Sequence, residues 1–488
     1  MSAQVSATSE AASSTKESPP SVPVFFLLLS TILVGSIYAN VLTYHITVNM
    51  VHSFGNDSES DFYGVEDYRR ENDSVTNFTV FLHKYLSNPQ KESLITVVPI
   101  GGILGLFPVA ALYNILGFRR CVSVCALVSI IPSILIPLLT NAKTFVLVIF
   151  IRIIQGFALA SFVPYICKLA VFLPFNHIAI PSIVFAYVQL AAAFVFPISG
   201  LLACLGWHSA HYIPAAITFL VLLVFVCVNF DDEFKEKIGQ SGFLDALCSY
   251  QRTRSTALNF RLPYLSIYQD AKIWAYFIAA FGYFTAIHLY LQFGPTFLHK
   301  VVGIGILPTG ILSLVPPLAN LILSFFVYAI FHKLANTVSN KMRVFNSLGT
   351  VLPGIFFILI GLFDADTQPT SVTTLYVTAC SLLGFCSCGF FHAIQLRSKQ
   401  YHLFLLLNLF AICMASMGLT SLFNVLIAQQ NEYSRWSIVF VLHGAILLAT
   451  NVIFCLFSSD EVAPWAKEGY EDTSIRPNRE DPLPQRPF

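Results

Sequence analysis

Apolar residues in this chain come in long unbroken runs instead of the narrow stripe of a surface helix or the alternation of a half-buried strand. Twelve runs of about 20 residues, the length that crosses about 30 Å of hydrocarbon, carry almost no charge. They lie near 23–51, 94–116, 121–140, 145–168, 180–204, 212–230, 273–294, 309–331, 344–363, 373–396, 402–428 and 436–457. The pattern predicts an all-α polytopic membrane protein with twelve transmembrane helices. A polar stretch at 231–272 separates six runs from six, the layout of two six-helix halves with a site between them at mid-membrane. The expected organisation is a tail at 1–22, a first half at 23–230, the central loop 231–272, a second half at 273–458 and a tail at 459–488. That last tail is rich in proline and charge, the composition of a disordered segment.

Composition removes the alternatives. With 56% hydrophobic and 11% charged residues, the chain lacks the polar groups to cover a water-facing surface. The net charge of +1 leaves no electrostatic basis for nucleic-acid binding. The expected partners are the bilayer and a small substrate that crosses it. The first run follows a Ser-rich segment with no basic region before it and no small-residue cleavage site after it, so it reads as a retained span. Of eleven cysteines, only Cys248 falls in a polar loop, and no exposed pair predicts a disulfide. Cys386 and Cys388, two apart on a helix, face different ways, and no metal site is expected there. Phosphate-cradling glycine loops, zinc-ligand spacings and nucleophile–base sets are not apparent, so nothing supports an enzyme.

Orientation follows from two independent signals. The polar loop 52–92 carries the three N-x-S/T sequons of the chain, at Asn56, Asn72 and Asn77, which predicts glycosylation on a lumenal or extracellular face. The basic residues Arg119/Arg120, Lys235/Lys237/Arg252/Arg254/Arg261, Lys333/Lys341/Arg343 and Arg397/Lys399 fall in the alternate loops, on the side of the N-terminal tail. Both tails are therefore expected in the cytosol, with the plasma membrane and a lysosomal or vesicular membrane equally open.

Five segments in order along the chain resemble the major facilitator superfamily, and within it the anion-cation symporters that include sialin, the vesicular glutamate transporters and the sodium-phosphate cotransporters. Gly105, Pro108 and Leu116-Gly117-Phe118-Arg119-Arg120 are similar to the superfamily's loop signature, without its acidic residue near Tyr113 and Asn114. Arg152-Ile-Ile-Gln155-Gly156, ending near Pro164, resembles the family's R-x-x-Q-G segment. Leu262-Pro263-Tyr264 with Trp274-Ala275, and Lys341-Met-Arg343-Val-Phe345-Asn346-Ser-Leu-Gly349 with Pro353, resemble the approaches to spans seven and nine. Phe457-Ser-Ser-Asp-Glu461-Val-Ala-Pro464-Trp465-Ala466 is similar to the family's ending. The resemblance implies a secondary transporter that moves a small organic or inorganic anion by alternating access, as a monomer. It implies no cofactor beyond a coupled H+ or Na+ or the membrane potential.

An arginine inside hydrocarbon costs at least about 2.5–3.5 kcal/mol unless it faces a cavity or a partner. Arg152, some seven residues into span four, is the leading anion ligand, since its planar fork suits a carboxylate or phosphate and it matches the family's span-four arginine. Anchoring to backbone carbonyls is the alternative. Gln155, Tyr283, His288 and His45 complete the candidate substrate contacts. The family's acidic residue seven positions beyond the arginine is Leu159 here, its span-one arginine is replaced near Tyr38 or Asn40, and no predicted span holds Asp or Glu. Coupling would then fall to histidine, which titrates near neutral pH: His45, His288 and His392 are the candidates, and His443 is the fourth within a span. Each has a hydrogen-bonded packing role as its alternative. The amides Asn40, Asn49, Gln189, Gln292, Asn320, Asn408 and Asn424 read first as interhelical glue. Without a coupling carboxylate, an uncoupled facilitator or a transporter-like sensor is the competing function.

Overall fold

The computed structural model describes residues 24–47, 88–139, 144–172, 180–202, 205–228, 262–331, 333–363, 365, 367–428 and 431–467. Among these residues the chain is helical throughout and contains no strand. The sequon positions, the central loop up to 261 and the terminal tails before 24 and after 467 lie outside the described residues.

Eleven helical segments are long and apolar enough to cross a membrane. One of them crosses twice. The run Val98–Leu139 has 42 residues, about 63 Å at about 1.5 Å per residue, which is twice the hydrocarbon thickness. It breaks at Gly117, whose φ of 76° and ψ of 176° leave the helical region. A left-handed φ favours glycine, and this glycine with the following Arg119 and Arg120 makes the turn between spans two and three. Among the described residues the count is therefore twelve, as the hydrophobic runs predict.

Span one is Val24–Thr47 and span six Trp207–Cys227. Span four joins Phe145–Phe157 to Phe162–Phe172 through one 3₁₀ turn, Ala158–Ser161. Span five is Ile180–Val184 and Ala186–Leu202. Span seven is α-helical over Ala271–His288 and then π-helical at Leu289–Phe293 and Phe297–Val301. Spans eight and nine are Ile306–Phe331 and Val338–Leu362. Span ten runs from Pro369 to Ser398 with a 3₁₀ segment at Leu383–Cys388. Spans eleven and twelve are His402–Ile427 and Tyr433–Phe457. A short helix, Asn88–Thr96, precedes span two and brings Lys91 and Glu92 into the packed structure. The hydrophobic run begins just after these two charged residues, so it does not include them. Phe107, Ile115, Leu362 and Leu456, each more than 70% exposed, lie on the outer surface where lipid replaces water as the solvent.

Because the spans alternate, one face of the bundle carries the ends near Val24 and Phe457 (the tail face) and the other carries the ends near Thr47 and Asn88 (the loop face). The halves meet along spans two and eleven and along spans five and eight. A Cβ on Gly102 would lie 2.6 Å from the Met414 sulfur, and one on Gly200 would lie 3.2 Å from the Gly310 Cα. Within the first half, spans two and four touch backbone to backbone: a Cβ on Gly101 would sit 1.9 Å from the Ile153 carbonyl oxygen. The glycines of span two thus serve helix packing. Nearer the tail face, rings from both halves interlock. Phe162 stacks on Phe410 at 5.0 Å, and Phe185 meets Phe391 at 4.8 Å and Phe284 at 5.5 Å.

At the tail face of the second half, Asp270 caps span seven by accepting from the Lys272 amide at 3.0 Å. It also pairs with Arg397 of span ten, Nη2 to Oδ2 at 2.6 Å, with both side chains over 90% buried. Trp465 Nε1 donates to the same oxygen at 3.1 Å, the Ala463 amide donates to the Arg397 carbonyl at 3.0 Å, and Arg397 Nη1 donates to the Glu461 carbonyl at 3.3 Å. The Pro464-Trp465-Ala466 turn is therefore a clasp closing the second half on itself.

Candidate functional site

Arg152 is fully buried in the loop-face third of span four. Its Nε donates to the Leu94 carbonyl at 3.0 Å, and its Nη1 donates to Gln155 Oε1 at 2.5 Å. The guanidinium carbon lies 4.5 Å from the centre of the Tyr44 ring. The close approach of spans two and four at Gly101 is what carries the Leu94 carbonyl into reach. Gln155 is held in turn by its own amide, which donates to the Asn40 carbonyl at 3.1 Å and to Ser133 Oγ at 2.9 Å. Asn40 Nδ2 donates to Ser129 Oγ at 3.2 Å and Thr218 Oγ1 at 3.1 Å, tying spans one, three, four and six into one buried network.

The charge balance of this network is unusual. Among the described residues no carboxylate pairs with Arg152. Its neighbours offer a carbonyl, an amide oxygen and a π face, which orient the cation without neutralising it. The third nitrogen, Nη2, is buried and has no acceptor. The anchoring role is thus visible in two nitrogens, and the third is a buried donor with no acceptor.

The other predicted residues divide into those the fold gathers and those it does not. His45 is buried on span one, within electrostatic range of both Arg152 and His288. His288 stands across the boundary on span seven, its Nε2 3.3 Å from the Cys413 sulfur of span eleven and its Nδ1 buried with no partner. Arg152 and Gln155 thus touch directly, and His45 links this pair electrostatically to His288 of the second half. Tyr283 lies instead in the aromatic layer, 5.4 Å from Phe390 and 5.7 Å from Phe391. His392 is on the tail side of span ten, its Nδ1 3.2 Å from Gln395 Oε1 and its ring edge-on to Phe331 at 5.1 Å. His443 Nδ1 donates to the Val439 carbonyl, 2.8 Å away on its own helix. Asn56, Asn72 and Asn77 fall outside the described residues.

Sequence reasoning passed over Tyr44 and the Leu94 carbonyl. Tyr44 is an aromatic among twenty tyrosines, and its adjacency to His45 was its only signal; a backbone carbonyl has none. Gln292, read as glue, is only partly so. Its Oε1 accepts from Ser421 at 3.2 Å while its Nε2 is buried without an acceptor.

With the geometry in hand, comparison with known proteins gives a consistent result. Sodium-dependent phosphate transport protein 1 of Mus musculus is 23% identical over 394 residues, 79% of this chain and 84% of that protein. The probable small intestine urate exporter of Homo sapiens is 22% identical over 410 residues, 81% of each. The probable vesicular glutamate transporter eat-4 of Caenorhabditis elegans is 24% identical over 396 residues, 78% of this chain and 65% of the relative. Among solved structures, a D-xylose-proton symporter superposes with a TM-score of 0.63 at 14% identity, covering 90% of this chain and 99% of that one. The nucleoside transporter NupG superposes at 0.57 and 13%, covering 88% and 98%. These two share the fold. The family description Major Facilitator Superfamily matches residues 24–402, most of the chain, and the protein belongs to that superfamily.

Proposed function

We propose that this protein is a secondary transporter of a small anion, working by alternating access around Arg152. The observation that carries the reading is the buried, acceptor-free Nη2 of an arginine whose other donors are already satisfied by neutral groups. An anion seated there supplies the missing negative charge, and its own desolvation is offset by the cation. His288 of the second half lies, like Arg152, within electrostatic range of His45, so an anion reaching both residues favours closure of the halves around it. On the tail face the gate is the aromatic layer of Phe162, Phe185, Phe284, Phe391 and Phe410; on the loop face it is the contact of spans two with eleven and five with eight. The names of the relatives, which include phosphate, urate and glutamate transporters, support an anionic substrate. The protein acts as a monomer, with its tail face in the cytosol of a plasma or vesicular membrane.

Coupling to H+ or Na+ belongs to the same proposal, with His45 and His288 as the proton sites. His392, packed against Phe331, stands apart from them and is the weaker candidate. The absence of Asp and Glu from the predicted spans, with Leu159 at the family's acidic position, favours a second reading, an uncoupled facilitator. Uptake of labelled phosphate, urate, glutamate, sialate and glucuronate into proteoliposomes, with pH, sodium and voltage gradients imposed separately, tests both. Accumulation of one anion against its gradient, abolished in Arg152→Ala, supports the coupled carrier; equilibration without accumulation supports the facilitator. Transport unaffected in Arg152→Ala refutes the site.

A further inference from the structure

Arg152 offers only donors, as an anion requires. A second group of polar side chains, one helical turn beyond His288, offers something else. Span seven presents Gln292 and Thr296, four residues apart, and span eleven presents Ser421 and Asn424, three apart, so each pair lies on one helix face. The two faces meet: Ser421 Oγ shares its one proton between the Met417 carbonyl of its own helix at 3.0 Å and Gln292 Oε1 at 3.2 Å, and Thr420 Oγ1 donates to the Thr285 carbonyl at 3.3 Å. All four side chains are more than 90% buried. Asn424 Nδ2 is used on its own helix, donating to the Thr420 carbonyl at 3.2 Å. Three atoms then remain without a partner: Gln292 Nε2, Thr296 Oγ1 and Asn424 Oδ1.

Buried polar groups are almost always hydrogen-bonded, so three unmet ones on facing helices mark a place where something else supplies the bonds. Their chemistry is mixed. The glutamine nitrogen donates only, the asparagine oxygen accepts only, and the threonine hydroxyl does both. A bare anion accepts and cannot donate, which leaves Asn424 Oδ1 unmet. A hydroxyl or a carboxamide does both. The backbone points the same way: Gln292 lies in the π-turn Leu289–Phe293, and Thr296 lies between it and the second π-turn, Phe297–Val301. Such turns interrupt α-helices frequently at functional positions. Leu289–Phe293 also packs on span one, which carries His45. The group therefore adjoins the anion site on its second-half side.

We infer that Gln292, Thr296, Ser421 and Asn424 form a subsite for the uncharged polar part of the substrate, which makes the cargo an organic acid bearing hydroxyl or amide groups and not a simple inorganic anion. This rests on the anion-carrier reading and specifies its substrate class. In it, Arg152 holds the carboxylate and the subsite of spans seven and eleven holds the hydroxyls.

The test is competition binding on the purified full-length protein, with labelled gluconate and glucuronate as probes. Hexanoate, a six-carbon carboxylate without hydroxyls, and inorganic phosphate are the competitors. The hydroxylated acids are expected to bind about tenfold or more tightly than either competitor, because a site built to pair hydroxyls rejects analogues that lack them. Gln292→Leu is expected to collapse that ratio to about one while leaving hexanoate affinity in place. Thr296→Val, isosteric and safe for folding, is expected to reduce it in part and decides the matter if the leucine variant does not fold. A wild-type protein that binds hexanoate or phosphate as tightly as every hydroxylated acid overturns the inference, as does a ratio unchanged in folded variants. Loss of all binding in Arg152→Ala, with discrimination unaffected by Gln292→Leu, retains the anion site and discards the subsite. The converse pattern discards the anion site.

Discussion

Replacing Arg152 with lysine keeps the positive charge and removes the fork. In the native protein the guanidinium has three nitrogens with separate tasks: Nε on the Leu94 carbonyl at 3.0 Å, Nη1 on Gln155 at 2.5 Å, and Nη2 without an acceptor, the atom proposed to take the anion. An ammonium is a single point at the end of a flexible stem. Wherever it settles, at least one charge-assisted hydrogen bond is lost, a difference of about 1.5–3 kcal/mol. If the anchors hold the ammonium back, the loss falls on the anion, and at 1.4 kcal/mol per decade the apparent affinity drops about 10- to 150-fold. Initial uptake rates in proteoliposomes against substrate concentration give KM, and a thermal unfolding scan of the same preparation shows whether the fold has been kept. A lysine variant that unfolds as the wild type does, with KM within about twofold of it, would falsify the claim that Nη2 contacts the substrate. Arg152 would then be a structural anchor.

Other outcomes follow from the packing. Asp270→Asn leaves Arg397 buried without a counter-charge and is expected to cost about 3–5 kcal/mol, read as a lower unfolding temperature and partly recovered by adding Arg397→Met. Gly101→Ala is expected to abolish transport, because its Cβ would sit 1.9 Å from the Ile153 carbonyl oxygen and push apart the spans that bring Leu94 to Arg152. Gly117→Ala meets nothing within 4 Å and strains only a backbone whose positive φ with ψ near 180° suits glycine, about 1–3 kcal/mol, so it should fold and transport; transport loss equal to that of Gly101→Ala would contradict the distinction. Phe162→Ala opens the ring contact with Phe410 and is expected to speed labelling of the buried Cys413 by a thiol reagent added from the tail face, with unchanged labelling counting against a gate there. Simultaneous Asn→Gln changes at Asn56, Asn72 and Asn77 are expected to remove a glycosidase-sensitive shift in gel mobility.

Hydrophobic runs foretold the number of crossings because length and lack of charge are local properties, and Gly117 shows why even the fused helix of spans two and three was countable: the break in charge at Arg119 and Arg120 marks the turn that continuous helical geometry conceals. Arg152 was legible for a related reason, since one cation in an apolar run stands out against hydrocarbon. Its partners were not. That Tyr44 would lie beneath it and that Leu94 would lend a carbonyl depends on how closely spans two and four approach, which the glycines permit but do not specify. Tyr283 and His392 lie apart from Arg152 because helix rotation, set by the packing of rings such as Phe331, Phe390 and Phe391, decides which way a residue looks. The π-turns of span seven add to that rotation and leave no mark in hydropathy, so Gln292 read as glue.

The clasp at the tail face has a consequence for synthesis. Asp270 is made when the second half has barely begun, Arg397 when it is two-thirds complete, and Trp465 only after the last span has emerged. Until that final indole arrives, the buried ion pair lacks one of its donors and the segment from Ser458 to Ala466 has not yet covered it. The second half therefore completes this contact last, and a chain that stops short of residue 465 leaves the Asp270–Arg397 pair without its indole donor and without the cover of the closing turn.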